Sequence, residues 1–233
     1  MPLRRTGFFW GRGQVEDGDA DRERLSDSRV FELPFQPGWV DLTREEGGWI
    51  EAWSTATAVA TTQFDPAKLK VGTKALIRDL RRRTLALNSG ESSSAAVYYT
   101  PEGRAVAELR TDWYGEIGAP RPSPEEVVPL LLDGAGSETI GEPDIRYMDL
   151  PCGSAARVQA TLATRGRLGF GSRRGSFIKY ALFPPGVHDL CVVWVSWWDE
   201  RDSDEAVRLT DEVVAGMRLV PLEEEGTEAR VQP

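Results

Sequence analysis

The chain has little of what most often carries chemistry. Its 233 residues hold one histidine, His188, two cysteines, Cys152 and Cys191, and three methionines. Any Ser-His-Asp or Cys-His site would have to use His188, at the mouth of the apolar run HDLCVVWVSWW (188–198). Asp189 is its neighbour in the chain, and neighbours on a strand point to opposite faces, so Asp189 is badly placed to orient the ring; Cys191, three positions on, also faces away. The cysteines have no spacing of a metal site or a disulfide framework, which leaves buried free thiols as the expectation. No histidine, cysteine or carboxylate cluster has metal-ligand spacing, so neither metal nor cofactor is expected. Adjacent acids occur at Glu45 with Glu46 and at Glu125 with Glu126, where they suit a helix start or a surface. A hydrolytic dyad needs two carboxylates set across a cleft, and no such pair is legible.

Long apolar runs are also missing. No stretch approaches the ~18 consecutive apolar residues that a membrane-spanning helix requires. An arginine pair ahead of Phe8, Phe9 and Trp10 has the opening of a twin-arginine export signal, but residues 11–24 are polar and charged where an apolar segment should follow. A cytoplasmic protein is therefore expected. The net charge of −9 disfavours nonspecific binding of nucleic acid or anionic lipid by the chain as a whole.

What is present is enough apolar material for one body. With 40% hydrophobic residues, the chain fits one domain able to withdraw roughly 70% of its unfolded surface from water. Residues 1–28 and 222–233 are poor in large apolar groups and rich in charge, so both are expected to be disordered tails, the second acidic, around a domain at 29–221. Phe8, Phe9 and Trp10 are the exception, either a loosely packed terminus or a short docking motif.

Within 29–221, RVFELPFQPGW (29–39) reads as a short strand and a Pro-Gly turn, and WIEAWSTATAVATTQF (49–64), rich in Thr and Val, as a strand or bent pair of strands. Asp65 ahead of Pro66 starts a helix to about Leu87. AAVYYT, PEG and RAVAELRTDWYG (95–115) form a hairpin with Ala105, Ala107, Leu109, Thr111 and Trp113 on one face and Val106, Glu108, Arg110 and Asp112 mostly toward water. Ser123 to Glu126 open a short helix through Leu132. Strands follow at 145–150, at 155–163 with Val158, Ala160 and Leu162 inward and Arg157, Gln159 and Thr161 outward, at 176–183 and at 188–198. The last is apolar on both faces and should lie at the centre of the sheet. A helix at 203–216, with a capping box of Asp202 and Glu205 and ended by Gly216, runs into the strand MRLV. The fold class is α+β, a twisted antiparallel sheet of six or seven strands with helices packed on both faces.

The order and rhythm of these elements, with LPFQPGW (33–39), LPCGSAARVQ (150–159) and the stretch 177–220, resemble the PsbP-like superfamily. This α/β sandwich is shared by photosystem accessory proteins, a Ran-binding nuclear import factor, bacterial lipoproteins and chaperones for secreted effectors. The stretches around 150–159 and 177–220 look especially similar to uncharacterised proteins of high-GC Gram-positive bacteria. The resemblance brings no catalytic residue and implies a binding or accessory role.

Two basic elements are the remaining candidates for contact. On a helix from Pro66, Leu69, Leu76, Ile77, Leu80, Thr84 and Leu87 share one sector, while Lys70, Lys74, Arg78, Arg81 and Arg82 gather beside it. The Gly-rich segment TRGRLGFGSRRGS (164–176) carries Arg165, Arg167, Arg173 and Arg174, but a strand follows it where a phosphate-binding loop needs a helix, so it reads as a long hairpin loop. Both elements also suit an ordinary solvated surface, and the acidic tails could themselves cover the basic helix. Of the eight tryptophans, Trp113, Trp194, Trp197 and Trp198 read as core, and Trp39, Trp49 and Trp53 as core or the lining of a groove. The expected function is a noncatalytic adaptor or chaperone-like protein whose partner is another protein, met through the sheet surface or the basic elements. The alternatives are an enzyme built on His188 or a carboxylate pair, and anion or nucleic-acid contact through the 68–83 helix and the 164–176 loop.

Overall fold

The structure is a computed structural model and describes residues 29–43, 49–88, 94–115, 120–133, 137–165 and 172–221. The tails expected at 1–28 and 222–233, the aromatic triplet Phe8 to Trp10, Glu45, Glu46 and Arg167 lie outside the described residues.

Nine strands are described: β1 (Arg29–Glu32), β2 (Trp39–Asp41), β3 (Ser94–Tyr99), β4 (Ala105–Tyr114), β5 (Ser137–Leu150), β6 (Gly153–Arg165), β7 (Ser172–Phe183), β8 (Leu190–Trp197) and β9 (Arg218–Pro221). Seven of them form one antiparallel sheet in the order β2-β3-β4-β8-β7-β6-β5, and β1 pairs with β9 in a separate ribbon. Four helices accompany them: α1 (Trp49–Thr62), α2 (Thr73–Leu87), α3 (Pro124–Leu132) and α4 (Ser203–Gly216). The class is α+β, and the doubly apolar run at 190–197 is the middle strand of the sheet.

Strand alternation sorts the core. Ile178, Tyr180 and Leu182 of β7 pack with Cys191, Val193 and Val195 of β8 and with Ala206, Leu209, Val213 and Val214 of α4. The intervening residues Phe177, Ala181 and Phe183 pack with Val192 and with Val127, Val128 and Leu131 of α3. Successive side chains leave a strand on opposite sides, so α4 and α3 lie against opposite faces. A third cluster joins α1 and α2 to Ala95, Val97 and Tyr99 of β3 at the β2 end of the sheet. β1 ties down through Phe31, whose ring stacks on Trp113 at 5.1 Å.

Several sequence expectations are corrected. Residues 49–62 form a helix and not a strand. Ala52, Ala56, Val59 and Ala60 are buried at helical spacing, and the hydroxyls of Thr57, Thr61 and Thr62 donate to carbonyls one turn back, which satisfies the groups that β-branched content had suggested for a sheet. The helix after Asp65 begins only at Thr73: the Asp65 carboxylate accepts from Ala67 N, closing a turn, and Gly72 sits at the N-cap. Asp202 makes no cap hydrogen bond to α4, because its carboxylate is paired with Arg104. The capping box of Ser123 with Glu126 is present on α3. β5 starts at Ser137, well before 145, and its pairing with β6 breaks between Ile140 and Asp144, at Gly141 (φ 76) and Pro143. Arg157 is buried beneath α4, with its guanidinium donating to the Tyr180 hydroxyl and the Asp211 carboxylate, so β6 is covered on the face expected to be outward.

Gly38, the glycine of LPFQPGW, has φ 102, and a Cβ there would lie 2.5 Å from the Tyr98 ring. Gly38→Ala should therefore cost about 1–3 kcal/mol in urea unfolding, while Gly72→Ala, whose added methyl meets nothing within 4 Å, should change stability by less than about 0.5 kcal/mol or raise it. Equal midpoints for the two variants would contradict this.

Candidate functional site

The face that carries α2 and α3 is not closed over its middle. The β4-β8-β7 registers set Arg110 opposite Trp194 and Trp194 opposite Lys179, with Glu108 opposite Ser196 and Ser196 opposite Phe177 in the next row. Cross-strand neighbours of this kind stand about 5 Å apart, close enough for long side chains to touch. The Arg110 guanidinium carbon lies 4.2 Å from the Trp194 ring centroid, and the Lys179 ammonium lies 4.8 Å from that ring and 5.0 Å from the Phe177 ring. Two cations thus share one indole, each held by the ring's negative face.

Lys179 is buried, and its ammonium donates to the carbonyl of Leu131 at 2.7 Å, at the end of α3 where helix carbonyls lack intrahelical partners. Burial pushes its pKa down to about 8; the Asp133 carboxylate opposes that and the Arg110 charge reinforces it. Arg110 has the indole but no carboxylate partner among the described residues.

A cleft of about 220 Å³ opens above this row, lined by Ala86 and Leu87 of α2, Glu108 and Arg110 of β4, and Trp194, Ser196 and Trp198. Trp198, expected in the core, is 46% exposed at the rim. It lies over β7 at Gly175, where a Cβ would approach to 2.6 Å of the indole, so only glycine lets the ring settle there. A second hollow of about 80 Å³, bounded by Leu162, Gly175 and Phe177, continues along the same tryptophans.

A polar network forms the α2 wall. Asp79 accepts from Arg83 Nε and from the Tyr99 hydroxyl, each at 2.8 Å, and from Arg82, while Arg83 reaches on to Glu108. Burial works to raise Asp79, but the donors from Arg82, Arg83 and Tyr99 outweigh it and hold the carboxyl below its usual range. Burial, helped by the neighbouring Asp79 charge, pushes the Tyr99 phenol far up, so it stays a donor.

The basic residues singled out from the sequence belong to two elements, α2 with the segment before it and the β6-β7 hairpin. Lys70, Lys74, Arg78 and Arg82 are exposed, on α2 or in the segment before it, and Arg82 is paired with Asp79. Arg81 is half-buried, with its guanidinium 5.2 Å from the Trp53 ring. The expected loop at 164–176 is largely strand: Arg165 ends β6, Arg173 and Arg174 belong to β7, and pairing continues to Arg165 with Ser172. Arg174 alternates in step with Ser176 and Ile178, on the side that carries α4, whereas α2 packs on the opposite face.

His188 is exposed in the turn before β8, and the Asp189 carboxylate is directed at Gly115. Cys191 and Cys152 are buried free thiols in the α4 core, both pushed up by burial. Glu125 and Glu126 occupy the first turn of α3, with Glu126 closing its capping box. Among the described residues no group of three or more metal-binding side chains converges. Lys179 was visible in the sequence as the one charge in the apolar run FIKYALF, and Glu108 and Arg110 as the polar half of an alternating strand. Neither signal says that one helix face and two tryptophans would enclose them.

No protein-family model and no curated protein matches the chain. LpqN of Mycobacterium tuberculosis, described as involved in cell envelope biogenesis, is structurally similar with a TM-score of 0.44 and 11% sequence identity, over 83% of this chain and 85% of that one. No described helix is long and apolar enough to cross a membrane.

An unfolded lysine titrates near ~10.4, so between pH ~8 and ~10.4 the unfolded chain binds the extra proton. The cost of burying charged Lys179 is full below pH ~8 and is relieved as pH rises through that window. Wild-type Tm should therefore gain on that of Lys179→Met between pH ~8 and ~10.4. Parallel Tm curves for the two proteins would refute a lowered lysine.

Proposed function

We propose that the protein is a noncatalytic accessory protein, an adaptor or chaperone-like domain, that binds another polypeptide on the open strip between α2 and α3. The observation that carries this reading is the cleft itself: an arginine without a carboxylate partner among the described residues, stacked on Trp194 at the centre of the sheet, with the exposed Trp198 indole at the rim. Tryptophan and arginine are the residues that most often anchor interfaces, and a rigid sheet holds them ready at small entropic cost. The titratable groups with shifted pKa values nearby are tied into mutually satisfying contacts, as in the Asp79, Arg83 and Tyr99 network, which suits holding the fold more than turning over a substrate.

In the same reading, residues 29–221 act as one folded unit in the cytoplasm. The exposed Lys70, Lys74 and Arg78, with Arg81, Arg82 and the arginines of the β6-β7 hairpin at its margins, add positive charge that steers an acidic partner.

Trp198→Glu tests it. The side chain is at the rim, so the variant should keep its circular dichroism and its Tm within a few degrees while losing at least about tenfold in affinity for a partner purified with the wild-type protein. Unchanged affinity would remove the cleft from the interface.

A further inference from the structure

The cleft also specifies what it takes. Four side chains mark a small square on the sheet: Glu108 and Arg110 two residues apart on β4, and Ser196 and Trp194 directly across on β8. Its sides measure about 5 Å across strands and about 7 Å along them. Three of the four have hydrogen-bonding capacity to spare among the described residues. Arg110 has only the indole, the Ser196 hydroxyl makes no hydrogen bond, and the indole N–H of Trp194 is buried without an acceptor. Glu108 is committed to Arg83 through one oxygen only.

A guanidinium stacked on a ring still presents its N–H edge to an acceptor in its own plane, and a carboxylate matches that edge with two oxygens. Arg83 of α2, Arg146 of β5 and Arg157 of β6 already meet carboxylates; Arg110 does not. Lys179, buried against the same Trp194 ring, adds a second positive charge without an ion pair, and the Glu108 carboxylate in the cleft lining is already paired with Arg83, which leaves Arg110 as the lining cation without a carboxylate among the described residues. The complement is a single anionic group with an apolar neighbour to lie on Trp198. At about 220 Å³ the cleft is smaller than the ~300–1,000 Å³ of drug-sized ligand pockets and suits one residue.

We propose that this cleft binds the C-terminal residue of a partner polypeptide, its α-carboxylate on Arg110 and its apolar side chain against Trp198. The backbone N–H of that residue then donates to Glu108, one side of the square away, or to Ser196 across its diagonal. This rests on the binding role proposed above and names the part of the partner that is recognised.

The test uses the full chain and two peptides, acetyl-Gly-Ser-Gly-Phe with a free C terminus and the same peptide amidated, with free phenylalanine as a third probe. Calorimetry, checked by tryptophan fluorescence, should show the free acid binding at least about tenfold more tightly than the amide, because a buried charge-assisted contact is lost with the carboxylate. Binding of the acid should weaken as salt rises, and Arg110→Gln, confirmed folded by its Tm, should bring it down to the level of the amide. Free phenylalanine should bind more weakly than the peptide acid, since Glu108 is already paired with Arg83 and the charged amine must shed its water to enter.

Equal binding of acid and amide, or an Arg110→Gln variant that binds the acid normally, overturns carboxylate recognition while leaving an apolar cleft. Free phenylalanine binding as tightly as the peptide makes the ligand a free amino acid and overturns the polypeptide terminus. If no probe binds, C-terminal recognition fails, and the broader reading then stands or falls on Trp198→Glu alone.

Discussion

Keeping both faces of β7 and β8 dry is the constraint on which the rest of the molecule depends. Both strands are apolar on each side through most of their length, so each side must be covered. One side is closed by α4 with the β1-β9 ribbon, and the other by two separate covers, α3 near β6 and β7 and the α1-α2 pair near β3. Two of these covers are pinned by polar clusters. Arg157 with Tyr180 and Asp211 fixes α4 on one face, and Arg83 with Asp79, Tyr99 and Glu108 fixes α2 on the other. Buried ions cost several kcal/mol each unless they are paired, so such clusters contribute less net stability than position. They define where each helix sits on an otherwise featureless apolar face.

Dividing one cover into two leaves a gap, and the gap lies over the central strand. There the row of Arg110, Trp194 and Lys179 takes the place of a helix. An indole between two cations lets charge stand on a sheet at modest cost, because the ring supplies part of the attraction that water would have given. Burial makes Lys179 easier to deprotonate than a surface lysine, and the Leu131 carbonyl at the end of α3 holds the ammonium in place.

The succession of strands in the C-terminal half was legible because its alternation and turn residues agree with each other, and the doubly apolar run at 190–197 marked itself as central. The helix at 49–62 was not, since Thr and Val content argued for a strand while the deciding feature, alanines spaced by four, has weight only once α2 and β3 are present to receive them. Arg157 misled in a similar way. Alternation set it outward, but Tyr180 and Asp211 supply the partners that make its burial tolerable, and both are distant in sequence. The cleft was hidden for a related reason: the β4-β8-β7 row joins residues near 110, 179 and 194, and no local pattern announces a cross-strand register. The basic residues chosen from helical periodicity do share α2 or its approach, but periodicity ranks them without regard to the carboxylate at Asp79 that engages Arg82.

The interruption in β5 has its own consequence. β5 ends the seven-stranded order, so one of its sides faces no other strand of the sheet, and a strand of 14 residues in that position is a template on which a second copy of the chain could align. Gly141 and Pro143 interrupt the run near its middle, and Glu138, Glu142, Asp144 and Asp149, against Arg146 alone, leave what remains net negative. A second copy would find two short, mutually kinked, negatively charged pieces in place of one ladder. At high protein concentration, that irregularity favours separate molecules over a growing stack of sheets.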